Sequence, residues 1–253
     1  MRNLKTSILI LSATFLLFVV NVSAQDDVKK DEPKKEEAPS PFKVTAELVS
    51  HYVWRGSMAT GSPTPNLQPT LSYTKGPIEI GVWGSTDFIG SYKEVDPYLA
   101  FTKGPLKVTL TDYNWNFNKA DYFNYKNDET GHILEGSVGY TGPASLPLSI
   151  SLNTMFYGLD KSPTDSTKQA YSTYVELGYT TGPASFFFGF APWQSYYTAY
   201  RDGFEVVNIG VTVTKALKIT EAYSLPLRAT LVVNPSGGYN RSDFVHLVFG
   251  ITF

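Results

Sequence analysis

The sequence closes with Asp243-Phe244-Val245-His246-Leu247-Val248-Phe249-Gly250-Ile251-Thr252-Phe253, a stretch in which apolar and mixed positions alternate. Apolar residues occupy every second position from Val245 to Phe253. Because successive side chains of a β-strand point to opposite faces, one face of this stretch is apolar throughout. The other face is mixed and carries Phe244, His246, Val248, Gly250 and Thr252. The stretch therefore predicts a strand with one face in an apolar environment.

A final Phe preceded by apolar residues at alternate positions resembles the sorting signal of bacterial outer-membrane barrels. The resemblance is carried by Leu247, Phe249, Ile251 and Phe253. It implies contact with outer-membrane lipid and recognition of this strand by the barrel-assembly machinery. We therefore predict an all-β fold, a transmembrane antiparallel up-and-down β-barrel of the bacterial outer-membrane type over residues 41–253.

Residues 1–24 have the three parts of a secretory signal peptide. Arg2 and Lys5 form a charged start, an apolar run extends from Ile8 to Val20, and small residues end at Ala24. A transmembrane anchor is the alternative, but the apolar run is shorter than the roughly 20 residues that a spanning helix needs. We predict cleavage before Gln25 and a location in the outer membrane of a Gram-negative-type bacterium.

Composition narrows the classes of partner and chemistry. Residues 25–40 are rich in Lys, Asp, Glu and Pro and have no aromatic residue, which predicts a disordered periplasmic tail. The chain has no Cys, which excludes disulfides and thiolate sites. Without Arg2 and Lys5, the 21 basic residues fall to 19 against 23 acidic ones, which argues against a nucleic-acid partner.

From Pro41 onward the sequence repeats one motif, in which an aromatic residue and Thr precede Gly-Pro. The four copies end at Gly76-Pro77, Gly104-Pro105, Gly142-Pro143 and Gly182-Pro183. Each copy predicts a tight turn between alternating runs. About twelve strands result, near 42–55, 67–75, 78–86, 95–103, 106–116, 132–141, 146–157, 170–180, 185–192, 204–214, 225–234 and 243–253. Short turns and both termini then lie at one end of the barrel, apart from a longer link at 215–224, and the long loops lie at the other end.

The period of two assigns one side chain in two to the lumen. The lipid-facing positions include Ile78, Leu106, Leu148 and Phe186. The predicted pore-lining residues are Glu47, His51, Arg55, Glu79, Trp83, Asp96, Tyr98, Lys107, Tyr113, Glu135, Glu176, Glu205, Arg228 and His246. Because carboxylates outnumber basic groups in this set, the lumen is expected to prefer cations. A soluble β-sandwich would alternate in the same way and is the alternative fold.

The first predicted strand is the richest in polar chemistry. If Tyr52 and Trp54 face lipid, Glu47, His51 and Arg55 form one column inside the barrel, where residues on one face interact. Such a column is either a charge network that stiffens the wall or a constriction that selects a solute. The aromatic residues predicted to face inward are compatible with two kinds of lumen. The lumen is either narrow or blocked, or it provides an aromatic path for a solute.

The same region resembles a known family. The phrases Tyr52-Val53-Trp54-Arg55-Gly56, Gly81-Val82-Trp83-Gly84-Ser85 and Glu94-Val95-Asp96-Pro97-Tyr98, with Pro65 and Gln68, are similar to the N-terminal signature of the TorF-like family of porins. The resemblance covers about residues 50–100. It implies an outer-membrane barrel that acts as a porin, and it implies no particular substrate. The loop Ser57-Met58-Ala59-Thr60 departs from the phrase common in the family.

Enzyme chemistry has little support in the sequence. A lipid hydrolase needs a Ser within hydrogen-bond reach of a His base, and the chain has three His, at 51, 132 and 246. Ser50 adjoins His51 but is expected to point the other way, and no Gly-x-Ser-x-Gly elbow is present. His51 and His246, on neighbouring strands, would need a third ligand to hold a metal ion. We therefore expect no enzyme activity, no metal and no cofactor.

The sequence predicts a porin-like channel for passive passage of small hydrophilic solutes. Two alternatives stay open. One is a non-conducting structural or adhesion barrel that acts through extracellular loops such as residues 116–131, and the less favoured one is an outer-membrane lipid hydrolase. The pattern fixes neither the solute nor an oligomeric state.

Overall fold

The computed structural model describes residues 40–115, 122–127, 129–221, 223–239 and 242–253. The predicted signal peptide and residues 25–39 of the predicted tail lie outside these ranges. No helix in the described part of the chain is long and apolar enough to cross a bilayer.

Sixteen strands and one short helical turn make up the described secondary structure. The strands are β1 Phe42–Val49, β2 Val53–Trp54, β3 Ser57–Met58, β4 Asn66–Lys75, β5 Ile78–Asp87, β6 Lys93–Lys103, β7 Leu106–Tyr113, β8 Ile133–Thr141, β9 Leu148–Gly158, β10 Lys161–Ser162, β11 Asp165–Gln169, β12 Thr173–Thr181, β13 Ala184–Ala191, β14 Glu205–Lys218, β15 Ser224–Val233 and β16 Val245–Thr252. The helical turn is a 3₁₀ segment, η1, at Tyr196–Thr198.

Twelve of these strands form one closed antiparallel barrel, in the order β1-β4-β5-β6-β7-β8-β9-β12-β13-β14-β15-β16, with β16 paired to β1. The prediction of a barrel of about twelve strands of the outer-membrane type is confirmed, and the alternative of a β-sandwich is wrong. Strands β2 and β3 form one small hairpin, and β10 and β11 form another. Both small hairpins lie in stretches outside the barrel wall, between consecutive barrel strands.

Short turns gather at one end of the barrel, which we call the turn end, and long connections gather at the other, the loop end. At three of the turns a Gly with φ between 53° and 59° precedes Pro, at Gly76, Gly104 and Gly182. A two-residue hairpin turn needs positive φ at its first position, and only Gly adopts it without strain. The longer link at 215–224 also has an explanation, because β14 continues to Lys218 and leaves only a short connection to β15.

The barrel closes where β1 meets β16. The register places Glu47 opposite Thr252 and Val49 opposite Gly250. Two backbone hydrogen bonds then join Ala46 and Phe253, at 2.7 Å and 2.9 Å. The last residue of the chain therefore pairs with the first strand, which leaves no free sheet edge at the seam.

The outer face of the barrel wall is apolar. On β16, Val245, Leu247 and Phe249 are each more than half exposed, whereas His246 and Val248 on the other face are buried. The same alternation continues around the barrel, and exposed apolar side chains include Ile80, Val108, Ile150, Phe186 and Leu231. An apolar outer band around a closed barrel is the arrangement that can lie in lipid with every strand paired.

Candidate functional site: the barrel lumen and its loop end

The lumen is occupied at the loop end by the small hairpin β2–β3, which we call the inner hairpin (residues 53–58). Val53 pairs with Met58 and Trp54 with Ser57, so Arg55 and Gly56 form a two-residue turn. The hydrophobic cluster inside the barrel includes Met155 and Val207, and Trp54 packs against it. The hairpin therefore fills space that a wide porin would leave to water.

Both residues of that turn have positive φ, 47° at Arg55 and 88° at Gly56. This is the combination that a type I′ hairpin turn requires, and its first position usually holds Asn, Asp or Gly. An Arg in this conformation costs roughly 1–2 kcal/mol. The surrounding contacts must therefore outweigh the strain, and non-Gly residues held in such conformations gather at functional sites.

The contact that holds Arg55 is an ion pair with Glu135 on the opposite wall. The guanidinium Nη1 and Nη2 donate to Glu135 Oε2 and Oε1, at 2.5 Å and 2.8 Å. Nη1 also donates to the hydroxyl of Tyr197, and Tyr113 donates to Glu135 at 3.1 Å. Burial opposes the charge on Arg55, but the Glu135 carboxylate beside it raises the pKa of the guanidinium.

Three aromatic rings surround the same guanidinium. The Arg55 Cζ atom lies 4.6 Å from the ring centre of Trp54, 4.8 Å from that of Tyr174 and 5.4 Å from that of Tyr197. All three distances are within the range of a cation–π contact. Tyr174 lies on β12 and Glu135 on β8, with only β9 between them in the wall, so Arg55 reaches this side of the barrel from the inner hairpin.

Two polar side chains at the loop end fix the inner hairpin. Asp243 Oδ2 accepts from the backbone N–H of Met58 at 2.6 Å. Asn234, which is fully buried, donates to Gly56 O at 3.1 Å and to Ser57 Oγ at 3.2 Å. Burial works against the charge of Asp243, but its contact with His246 and the Met58 N–H hold the pKa of its carboxyl below the usual range.

The helical turn η1 enters the lumen from the connection between β13 and β14. Ser172 Oγ accepts from the backbone N–H of Tyr196 at 2.8 Å and donates to Asp160 Oδ1 at 2.6 Å. Tyr200 also donates to Asp160, at 3.1 Å. Burial raises the pKa of the Asp160 carboxyl, while the hydrogen bonds from Ser172 and Tyr200 oppose that change. This network places Tyr196 and Tyr197 over the inner hairpin.

Above the inner hairpin, a cavity of about 250 Å³ opens at the loop end. Its floor includes Tyr197, and Ser57, Met58, Ala59, Gly61 and Asp243 complete its lining. Six aromatic side chains form its wall, which we call the aromatic cup: Tyr52, Trp54, Tyr92, Trp115, Tyr196 and Tyr239. The ring centres of Trp115 and Tyr196 are 5.1 Å apart, and those of Tyr196 and Tyr239 are 5.7 Å apart.

Two further cavities, each of about 280 Å³, lie inside the barrel. One is lined by Tyr52 and Trp54 together with Trp83, Asp96, Tyr98, Thr111 and Tyr113. The other is lined by Arg55, Lys107, Thr109, Tyr113, Glu135, Ser137, Gly139, Ser151 and Asn153. Tyr52 and Trp54 line both the aromatic cup and the first inner cavity. Tyr113 lines both inner cavities, so the three spaces follow one another with shared side chains between them.

Several of the predicted lumen carboxylates accept hydrogen bonds from neutral side chains. Tyr98 donates to Glu79 at 2.7 Å, and the hydroxyl of Tyr174 donates to Glu176. Asn208 also donates to Glu176, at 3.1 Å. Phenol and amide donors leave the negative charge of a carboxylate uncompensated.

The other predicted lumen residues lie in separate parts of the barrel. Asp96 accepts from the backbone N–H of Asn114 at 3.0 Å. Trp83 contacts the ring of Tyr52, with centres 5.5 Å apart. Glu205 is bound by Arg201 near the loop end, at 2.7 Å and 2.6 Å.

The predicted column of Glu47, His51 and Arg55 does not form. Strand β1 ends at Val49 rather than at residue 55, so the alternation stops there. Glu47 pairs instead with Arg228 across the seam, and Arg55 reaches Glu135 from the inner hairpin. The lipid-facing assignment of Tyr52 and Trp54 is also wrong, because both rings pack against aromatic side chains of the lumen, Trp83 and Tyr113 respectively.

The two His near the seam make one contact that the alternation did not predict. The Ser50 hydroxyl lies 3.2 Å from His51 Nδ1, within hydrogen-bond distance, although the strand pattern pointed it away. The nearby carboxylate, Asp243, lies 2.8 Å from His246 rather than orienting His51. The ring centres of His51 and His246 are 5.8 Å apart. In the described ranges, no group of three or more His, Cys, Asp or Glu is arranged to hold a metal ion.

The sequence reasoning missed most of the aromatic cup. Tyr92, Tyr196 and Tyr239 lie in connections that alternation leaves unassigned, and their meeting depends on how those connections fold inward. One signal was available, because Arg55-Gly56 between two short β-prone pairs is consistent with a tight turn. Comparison with known proteins gave no significant match to a family model, a curated protein or a solved structure.

Proposed function

We propose that the chain is an outer-membrane channel for passive passage of a small hydrophilic solute, with a preference for cations. The observation that carries the proposal is the series of three cavities from the aromatic cup to the turn end, interrupted by the layer around Arg55 and Glu135. A side-chain layer of this kind favours a selective, narrow path over a wide aqueous pore. The apolar outer band and the terminal Phe253 support placement in the outer membrane.

The proposal extends to family membership and orientation. The residues that resemble the TorF-like porins include Trp54, Arg55 and Gly56, which form the inner hairpin. We place the turn end in the periplasm and the aromatic cup on the cell surface, since short turns of such barrels are periplasmic. A non-conducting barrel that acts through its loops is the second candidate, and the side chains that cross the lumen around Arg55 favour it.

The preference of the channel for cations is expected to depend on Glu79 and Glu176, whose carboxylates accept hydrogen bonds from tyrosine hydroxyls. In a planar bilayer under a salt gradient, the refolded protein should show a reversal potential that favours cations. The double variant Glu79→Gln/Glu176→Gln should lower that preference several-fold, because two negative charges leave the lumen wall. The control is Asp165→Asn on the exposed β10–β11 hairpin, which should leave the reversal potential unchanged. Anion preference in the wild type, or an equal effect of the control, would contradict the assignment.

A further inference from the structure

The aromatic cup has an unusual lining. Twelve residues in the described part of the chain line the cup. Seven of these twelve are aromatic, and Asp243 is the one charged residue among them. No Lys, Arg, Asn or Gln is among the lining residues that the structure describes. A neutral sugar is recognised by several directed polar side chains, and this lining offers few of them besides Ser57 and the tyrosine hydroxyls. The composition therefore points away from sugars.

Aromatic faces attract cations. The face of a Trp or Tyr ring carries negative electrostatic potential, and several rings around one space bind quaternary ammonium groups. In the cup, Trp115, Tyr196 and Tyr239 form a row with interplanar angles of 38° and 31°. Trp54 contacts Trp115 at 5.6 Å between ring centres and holds the Arg55 guanidinium as well. Two rings of the cup lining, Trp54 and Tyr197, therefore already contact one cation, on the inner side of the cup.

A second carboxylate lies behind the cup wall. Glu94 is 2% exposed, and its Oε2 accepts from the Tyr92 hydroxyl at 2.7 Å. Its Oε1 is buried and has no hydrogen-bond partner among the described residues. Tyr52 and Trp115, two further rings of the cup, lie close to the same carboxylate. Together with Asp243, Glu94 places two carboxyl groups beside the cup, whereas the guanidinium of Arg55 is paired with Glu135.

The size of the cup limits the ligand. Its volume of about 250 Å³ is below the range of roughly 300–1,000 Å³ that is typical for drug-sized ligands. A small compact cation fits this volume, and an extended one does not. We infer that the aromatic cup is a binding site for a small organic cation of the quaternary ammonium class. This inference names the solute class of the proposed channel. It rests on the proposed function only for the passage of the bound cation through the barrel.

The test is equilibrium binding to the full chain, refolded in maltoside micelles so that no choline headgroup competes. The probes are choline, its neutral isostere 3,3-dimethylbutan-1-ol, and glucose. Calorimetry measures the affinity of the protein for each probe. Choline should bind at least ten times more tightly than the neutral isostere, because only choline carries the charge. Equal affinities would overturn the inference, and so would tighter binding of glucose or no binding of choline by folded protein.

Matched Trp variants locate the site. Trp115→Leu should weaken choline binding about tenfold, since it removes one ring of the cup. Trp193→Leu is the control, because Trp193 is half exposed and is not in the cup lining. Equal losses in the two variants would contradict the site. Choline binding without conductance would overturn the channel and leave the site standing, whereas conductance without choline binding would overturn the site alone.

Discussion

Replacing Gly56 with Ala is expected to displace the inner hairpin from the lumen. A Cβ atom at this position would lie 1.9 Å from the backbone oxygen of Val207, and the φ of 88° is strained for any residue with a side chain. Because Val207 lies in a barrel strand, the hairpin must move instead. The expected cost is about 4 kcal/mol or more in the free energy of unfolding. Urea unfolding of the refolded protein in lipid vesicles, followed by Trp fluorescence, measures it.

The control for this variant is Gly76→Ala. Gly76 also has positive φ, 58°, but apart from its chain neighbours no atom of the described residues lies within 4 Å of the added Cβ. Both variants then have backbone strain at a positive φ, but only Gly56→Ala also has the close contact with Val207. Gly76→Ala should cost only about 1 kcal/mol. Equal costs for the two variants would show that the hairpin does not pack against Val207 as described.

Removing one partner of the Arg55–Glu135 pair is expected to destabilise the protein strongly. Arg55→Met leaves the Glu135 carboxylate, whose side chain is 1% exposed, without its cation. Loss of one member of a buried ion pair typically costs about 3–5 kcal/mol. In the double variant Arg55→Met/Glu135→Leu no charge is left unpaired, so its cost should be well below the sum of the two single variants. The same urea unfolding measures all three.

The pair Arg201–Glu205 provides the comparison. Its nitrogen–oxygen distance is 2.6 Å, similar to that of the buried pair, but its side chains are 20% and 21% exposed. A pair this open to solvent contributes about 1 kcal/mol or less, so Arg201→Met should have a small effect. A double-variant cycle at Arg55 and Glu135 that is additive would contradict direct coupling of the two side chains.

Alternation alone predicted the wall of the barrel well. Residues such as Leu247 and Phe249 must alternate with buried ones on β16, because a slip of one residue would turn the apolar face inward. Three of the four Gly-Pro phrases placed turns that need positive φ, at Gly76, Gly104 and Gly182. These features are local, so the sequence pattern carries them. The prediction of a tight turn at Gly142-Pro143 is wrong, because residues 142–147 form a longer connection between β8 and β9.

The candidate site could be predicted only in part. Period-two reasoning gave Glu135 and Tyr113 a lumen position, and they meet there in a hydrogen bond. The same reasoning extended β1 through Arg55, because it has no way to detect that a strand leaves the wall at Ser50 and folds inward. The meeting of Arg55 with Glu135 depends on contacts 80 positions apart, which no local pattern contains.

We propose that the barrel conducts through a lumen narrowed by the inner hairpin. The decisive test is single-channel recording of the wild type beside Gly56→Ala and Gly76→Ala in planar bilayers, with unheated gel mobility to verify that each barrel is folded. The wild type and Gly76→Ala should show small discrete conductance steps, and Gly56→Ala should show steps several-fold larger. Silence from all three folded proteins, or equal conductance in all three, would overturn this proposal.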